Sequence, residues 1–336
     1  MREGFATLII LVSLVACTSS PESRVTNQQS SEDSIIFRGI CDGSAAVKLD
    51  AKTILVAYDE LNTLFAYDVS GGAPVAIANL TALLNLKTTD EIDIEAATVY
   101  GQHIWWLGSH SLDKNGVIAP NRQMLFATNI PATNLGDLKL VTQPVDLSAV
   151  LMKSEKLTNV LTEAARKRRP KEGGINIEGL ATTADGGFLL GFRSPLNGLK
   201  GITGDALVAR IVPNEENFAV QQVYFLELAD RGIRDIVNYG NQYLIIAGPV
   251  TSGGDFALYT WDGYSQPEQL MKLNELNAEG IVDMDSYWLI LSDDGKVVRE
   301  DNEASDSYRK CDRIRSKNSS GGAHPSVYFH ARKISK

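Results

Sequence analysis

Three glutamates occupy matched places in this chain, each two residues after an Asp or Asn. They read Asp93-Ile94-Glu95, Asn176-Ile177-Glu178 and Asn277-Ala278-Glu279. Side chains two apart on a β-strand point to the same face. Each polar pair is therefore expected on one face, with Ile94, Ile177 and Ala278 on the other. Carboxylate and amide oxygens are hard donors, suited to Ca²⁺ or Mg²⁺ rather than to a soft metal. Asp93, Glu95, Asn176, Glu178, Asn277 and Glu279 are thus the candidate ligands of a divalent cation. His110, Arg193 and Arg234 complete a catalytic set. In it a cation-bound water attacks an ester, lactone or phosphoester. Arg193 and Arg234 hold the substrate's anionic group, and His110 or a glutamate acts as base. Two plainer readings stand beside it: a cation site without turnover, and a ring of carboxylates tied to backbone amides and Arg234 that only holds the fold.

These residues belong to a repeat. Five segments align on Ser44, Glu95, Glu178, Arg234 and Glu279. A small residue or Asp follows each, and then an apolar pair or near-pair. A second apolar run comes nine to twelve positions on: Thr53-Ile-Leu-Val, Ile104-Trp-Trp-Leu, Gly187-Phe-Leu-Leu, Tyr243-Leu-Ile-Ile and Trp288-Leu-Ile-Leu. A small residue closes every copy at Ala57, Gly108, Gly191, Ala247 and Ser292. Short runs rich in β-branched and aromatic types, joined by turn formers, are β-hairpins. Third strands are expected at 64–67, 125–127, 207–210, 256–261 and 297–299, and fourth strands at 75–78, 138–141, 220–226 and 268–273.

Near-continuous apolar strands imply sheets covered on both faces. Four-stranded units that cannot bury their faces alone must stack around an axis. The expected fold is all-β, a propeller of five four-stranded blades, or six if the 83-residue interval between Glu95 and Glu178 hides one. Ile35–Arg38 and Val327–Ala331 are expected to pair and close the ring. The innermost strands then line a central channel. The ends of the second strands, at Asp59-Glu60, His110, Arg193 and Asp293-Asp294, reach the same rim. One helical insertion is expected near 147–169, where apolar residues recur at helical spacing until Pro170. It ends in Arg166-Lys167-Arg168-Arg169, either a solvated helix end or a patch for an anionic surface.

The composition narrows the classes. The chain has 336 residues, is 44% hydrophobic, and carries a net charge of −9. That balance opposes nucleic-acid binding, which needs a basic face. There is no G-x-S-x-G elbow and no phosphate-binding G-x-x-x-x-G-K-[ST] loop. Four histidines and three cysteines form no cluster that could bind zinc.

The first residues resemble a targeting signal. Phe5–Ala16 is almost wholly apolar. As a helix it would reach about 18 Å, short of the ~30 Å hydrocarbon core of a bilayer. Leu14-Val15-Ala16-Cys17 resembles the lipobox of bacterial lipoproteins. The resemblance implies removal of residues 1–16 and acylation of Cys17, with the membrane as partner through that anchor. Thr18 in place of Asp favours the outer membrane, facing the periplasm. Residues 17–33 are polar and read as a lipidated cysteine and flexible tether, and 34–336 as one propeller domain. Outside the cytoplasm disulfides persist. Cys41 and Cys311 could then clasp the two ends of the domain, a closure of about 5 kcal/mol in the chain-entropy model.

Longer stretches around the repeat carry a wider resemblance: Leu107-Gly-Ser-His-Ser111, Lys171-Glu-Gly-Gly-Ile-Asn-Ile-Glu-Gly-Leu180, Gly191-Phe-Arg-Ser-Pro195 and Arg231-Gly-Ile-Arg-Asp235. Together they are similar to a bacterial domain family of unknown function across roughly residues 38–295. Ile177-Glu-Gly-Leu180 is more loosely similar to the esterase-like phytase propellers and to calcium-dependent lactonase propellers. That resemblance implies a metal ligand at Glu178 and, by repetition, at Glu95 and Glu279. An Arg at position 234 departs from it, because a guanidinium can replace a cation's charge outright. A hydrolase of anionic esters and a scaffold that binds protein or glycan on its top face both remain open.

Overall fold

The computed structural model describes Met1 and residues 34–58, 61–167, 169–251, 253–295 and 324–336. The expected signal, Cys17, the tether, Asp59-Glu60, Arg168, Cys311 and the strand at 297–299 lie outside the described residues. Strand β1 (Ser34–Gly39) opens the chain. Blade 1 follows as β2 (Ala45–Lys48), β3 (Thr53–Tyr58), β4 (Thr63–Asp68) and β5 (Ala76–Asn79), and then a short turn of helix, α1 (Leu80–Leu83). Blade 2 is β6 (Ile94–Tyr100), β7 (His103–Gly108), β8 (Met124–Asn129) and β9 (Val145–Asp146). Helices α2 (Ser148–Met152) and α3 (Glu155–Ala164) lead into blade 3, which is β10 (Asn176–Thr182), β11 (Phe188–Ser194), β12 (Ala206–Pro213) and β13 (Phe218–Leu226). Blade 4 is β14 (Arg231–Tyr239), β15 (Gln242–Pro249), β16 (Ala257–Trp261) and β17 (Glu268–Lys272). Blade 5 is β18 (Ala278–Asp283), β19 (Tyr287–Ser292), β20 (His324–Ser335) and, returning to the start, β1.

The described residues thus form a five-bladed β-propeller of antiparallel four-stranded sheets. The long interval holds α2, α3 and turns where a sixth blade was one expectation. Blade 2 differs from expectation at its outer edge. Val145–Asp146 is its fourth strand, and of residues 138–141 only Leu140 forms a bridge, to Thr128. Backbone bonds persist there, from the Asn129 N–H to Lys139 O at 3.1 Å and from the Val141 N–H to Ala127 O at 2.9 Å, and side chains add to them: Asn129 Oδ1 accepts from the Lys139 N–H, and the Thr142 hydroxyl accepts from that of Ala127.

Each large apolar cluster sits between two neighbouring blades, which explains strands buried from end to end such as β3. Helices α2 and α3 add Leu147, Leu151, Leu157 and Leu161 to the cluster between blades 2 and 3. The ring closes as expected, with Phe37 opposite Phe329 in the β1–β20 register. Phe37 is fully buried, stacked on Phe329 at 5.1 Å and edge-on to Tyr67 of blade 1 at 5.2 Å. Gly72 of blade 1 also exchanges backbone hydrogen bonds with Ile36 and Arg38, so β1 is tied to both flanking blades.

The innermost strands depart from simple alternation in four of the five blades. Ile94 pairs with Gly108 and Ala96 with Leu107, leaving Glu95 as an extra residue. The same bulge falls on Glu178, Arg234 and Glu279. A bulge shifts the alternation by one. Ile177 and Leu180, three apart, consequently enter one cluster, as do Ile233 and Ile236, and Ala278 and Ile281. Blade 1 has Ser44 at this place without a bulge. Its hydroxyl donates to Ala57 O at 3.2 Å and, toward blade 2, to Ile94 O at 2.6 Å.

Candidate functional site at the channel mouth

The bulges bring four charged side chains toward the axis, and Arg193 joins them from the end of β11. Glu178 is the hub, with its side chain 3% exposed. Its Oε1 accepts from Arg193 at 2.9 Å, and its Oε2 lies 2.8 Å from Arg234 Nε. Arg234, equally buried, also pairs with Glu279 and lies over the Phe256 ring at 5.8 Å. Its Nε contact with Glu178 is an ion pair without hydrogen-bond geometry, and Arg193 Nε is buried with no partner. Burial and the charge of Arg193 pull the Arg234 guanidinium down to about 10. Burial acts against Arg193 as well, but Glu178 beside it more than restores its charge, and its pKa is raised.

Glu95 occupies the blade 2 bulge. Among the described residues, its hydrogen bond to a side chain comes from Asn176 Nδ2, at 3.5 Å. Burial first, then the charges of Glu178 and Asp93, push its carboxyl well above the usual range. Asn176 Oδ1 is buried without a partner.

Asp93 turns elsewhere. Its backbone is left-handed (φ 58°), and Oδ2 pairs with Arg122 at 2.8 Å and accepts from the Ser111 hydroxyl at 3.2 Å. Arg122 also pairs with Glu91 at 2.9 Å. The expectation that Asp93 and Glu95 face one side together fails, because the bulge at Glu95 ends the alternation that it assumed. Asn277 likewise turns to its own blade, donating to Asp293 Oδ2 at 2.9 Å. Among the Asx residues of the repeat motif, Asn176 alone reaches a repeat glutamate.

His110 is buried, with Nδ1 2.7 Å from Gly108 O. Burial lowers its pKa to about 4. It sits beside Ser109 and Ser111 in the wall of blade 2 and is not among the residues lining the cleft.

That cleft, of about 810 Å³, opens at the channel mouth. Arg193, Arg234 and Glu279 line it, with Asn277, Asp293 and Asp294 from blade 5. Arg169 and Lys171 line it too. The sequence shows Arg169 at the end of a basic run but points to a helix end or an outer surface for that run, and gives Lys171 no binding role. Arg122, which holds Asp93, lies outside the repeat and gives no signal.

Four of the six proposed metal ligands are already engaged by other side chains. Glu178 and Glu279 are engaged by guanidinium groups, Asp93 by Arg122, and Asn277 by Asp293. Among the described residues no three His, Cys, Asp or Glu side chains converge as a metal-binding group.

The family model described as "Protein of unknown function (DUF3616)" matches residues 43–125 and 117–288. The chain belongs to that family. No curated protein matches it significantly. Several solved structures are similar to this DUF3616 chain at low identity. A putative oxidoreductase (glucose dehydrogenase) from Thermus thermophilus is 10% identical with a TM-score of 0.44, over 90% of this chain and 100% of that one. Glutaminyl cyclase from Myxococcus xanthus is 10% identical with a TM-score of 0.41, over 90% and 95% of the two chains. The PQQ-bound aldose sugar dehydrogenase from Streptomyces coelicolor is 9% identical with a TM-score of 0.38, over 89% and 98%. Among the described residues no helix is long and apolar enough to cross a membrane.

Proposed function

We propose that this DUF3616 protein binds a small anionic ligand at its channel mouth, with Arg193 and Arg234 as the anchoring groups and no metal between ligand and protein. One observation carries the reading: both oxygens of buried Glu178 are engaged by two arginines that line the same cleft. Glu178 fixes the guanidinium planes, and their remaining N–H donors suit a carboxylate or phosphate. Arg234 supplies the positive charge that a cation would otherwise bring. Calorimetric titration with phosphate and acetate tests this. Saturable binding that survives chelation and is lost in Arg193→Gln supports it. Binding that appears only with Ca²⁺ or Mg²⁺ refutes it and restores the metal reading.

Hydrolysis of an anionic ester or lactone is a second reading, favoured by Glu95. A carboxyl pushed well above the usual range by burial holds its proton to higher pH than an exposed one and can donate it to a leaving group. Turnover on an ester panel that is lost in Glu95→Gln, with binding intact, would establish it. Binding without turnover leaves the protein a receptor or scaffold.

We further propose a lipid anchor at Cys17 and a place in the cell envelope, on the outer membrane facing the periplasm. The lipobox-like Leu14–Cys17 supports both. Loss of label from fatty acid and of membrane association in Cys17→Ala is the test. A Cys41–Cys311 disulfide belongs to the same reading, and Cys41 in disulfide form supports it. Peptide mapping without reduction identifies its partner.

A further inference from the structure

The cleft is charged asymmetrically. Blades 3 and 4 and the turn before blade 3 contribute Arg169, Lys171, Arg193 and Arg234 to its lining. Blade 5 and the turn before it contribute Glu275, Glu279, Asp293 and Asp294. Inside, two arginines and two glutamates balance one another through the Glu178 and Glu279 pairs. Toward the mouth the signs are separated. Asp293 is held by neutral donors: Asn277 Nδ2 on Oδ2 at 2.9 Å and the Gly295 N–H on Oδ1 at 2.7 Å. Asp294 is fixed by the Ser292 hydroxyl at 3.0 Å and by the His330 N–H at 2.8 Å and Nδ1 at 2.6 Å. Asp293, Arg193 and Arg234 line the same cleft.

We propose that the ligand is a zwitterion of the amino-acid or short-peptide class. Its carboxylate lies on Arg193, and its ammonium lies on Asp293. The inference rests on the anion-site reading above and narrows it. A purely anionic ligand would gain the arginines but face Asp293 and Glu279, and like charges brought together disfavour binding. A purely cationic ligand meets the reverse conflict at Arg193 and Lys171. A molecule with both charges satisfies both sides. The volume falls in the ~300–1,000 Å³ range of small-ligand sites. Phe256 and Leu276 in the lining give apolar surface for a short side chain.

The test uses the whole protein at neutral pH and low salt. Alanine, Ala-Ala and Ala-Ala-Ala are titrated calorimetrically, each with its N-acetyl and C-terminal amide forms. The inference expects one free zwitterion to bind at least tenfold more tightly than either of its blocked forms. It also expects Asp293→Asn to erase the gap between the free and N-acetylated forms, with an unchanged melting temperature showing that the variant is folded. If the N-acetylated form binds as tightly as the free one, the zwitterion inference falls and the anion site stands. If the amide binds tightest, both fall. If no probe binds, the zwitterion inference falls, and the phosphate titration with Arg193→Gln decides the anion site separately.

Discussion

Arg234 approaches Glu178 from the next blade with Nε 2.8 Å from Oε2, and both side chains are almost wholly shielded from water. The contact joins the bulge of blade 3 to the bulge of blade 4, so the site's electrostatics and the ring's integrity share one carboxylate. A buried ion pair need not add net stability, but removal of one partner leaves the other charge stranded.

Glu178→Gln is therefore expected to destabilise the fold by about 3–5 kcal/mol, the usual loss when a buried pair is broken from one side. The variant leaves Arg193 and Arg234 close together with Glu279 as the remaining carboxylate partner. Glu279→Gln should be milder, because the Glu279 side chain is 14% exposed and water can solvate Arg234 there. Urea unfolding of the two variants provides the comparison. A Glu178→Gln loss below about 1 kcal/mol would mean that the pair behaves as a surface contact.

Asp235, next to this pair, is expected to make stability depend on pH. Its carboxylate accepts the N–H of Ile236 at 2.8 Å and, across to blade 5, that of Ile281 at 2.9 Å. Burial raises its pKa to about 7 despite those two bonds. The folded state thus binds a proton that the unfolded chain has already released. Its contribution is complete below the unfolded value of about 4 and is lost as pH rises through about 7. Asp235→Asn should remove that slope. Relative to wild type, the variant's urea midpoint should rise between pH 5 and pH 8. Parallel curves would mean that Asp235 is ionised throughout.

How much of this was legible follows from the repeat. The five small residues of the second strands were visible as a column, and so were the blades and the strand that closes them. Glu178, Arg193 and Arg234 could be drawn together, because register alone sets who shares a rim. Direction was not legible. A bulge has no fixed residue type, and the alternation rule kept Asp93 on the channel with Glu95; Asn277 does line the channel mouth with Glu279, its amide turned to Asp293. The structure instead gives Asp93 to Arg122, which lies 29 positions further on in a loop that no repeat contains. His110 was read as exposed chemistry, yet its left-handed backbone (φ 60°) folds it into the wall.

His110 should oppose Asp235 in its pH behaviour. Its folded pKa of about 4 lies below the ordinary imidazole value near 6.5. The neutral ring fits the wall and the charged ring does not. Its contribution is present above about pH 6.5 and is lost as pH falls toward 4. His110→Asn keeps a residue that tolerates the left-handed backbone. Its stability relative to wild type should rise on acidification from pH 7 to pH 4. A difference independent of pH would show that the ring does not titrate in this range. Wild type should be flatter than either single variant between pH 4 and 6.5, where the two groups pull in opposite directions.

The column of small residues predicts its own failure. Gly191 of β11 packs against blade 4, and a Cβ placed there would lie 2.6 Å from Ile233 Cγ2. At Gly179, on the partner strand, a Cβ would lie 2.7 Å from Ile236 Cγ2. Those isoleucines flank the Arg234 bulge, so blade 4 meets blade 3 through them on either side of the ion pair. Gly191→Ala should cost about 1–3 kcal/mol by overpacking. It should also displace Arg234 from Glu178, because Ile233 cannot retreat without moving the bulge. In the Ile233→Ala background the clash is removed, because Cγ2 is gone. The double variant should then be more stable than the sum of the two single losses implies, by more than the ~0.5 kcal/mol expected of independent sites. Additive losses in that cycle would show that the two blades adjust separately, and that the glycine answers to its own strand alone.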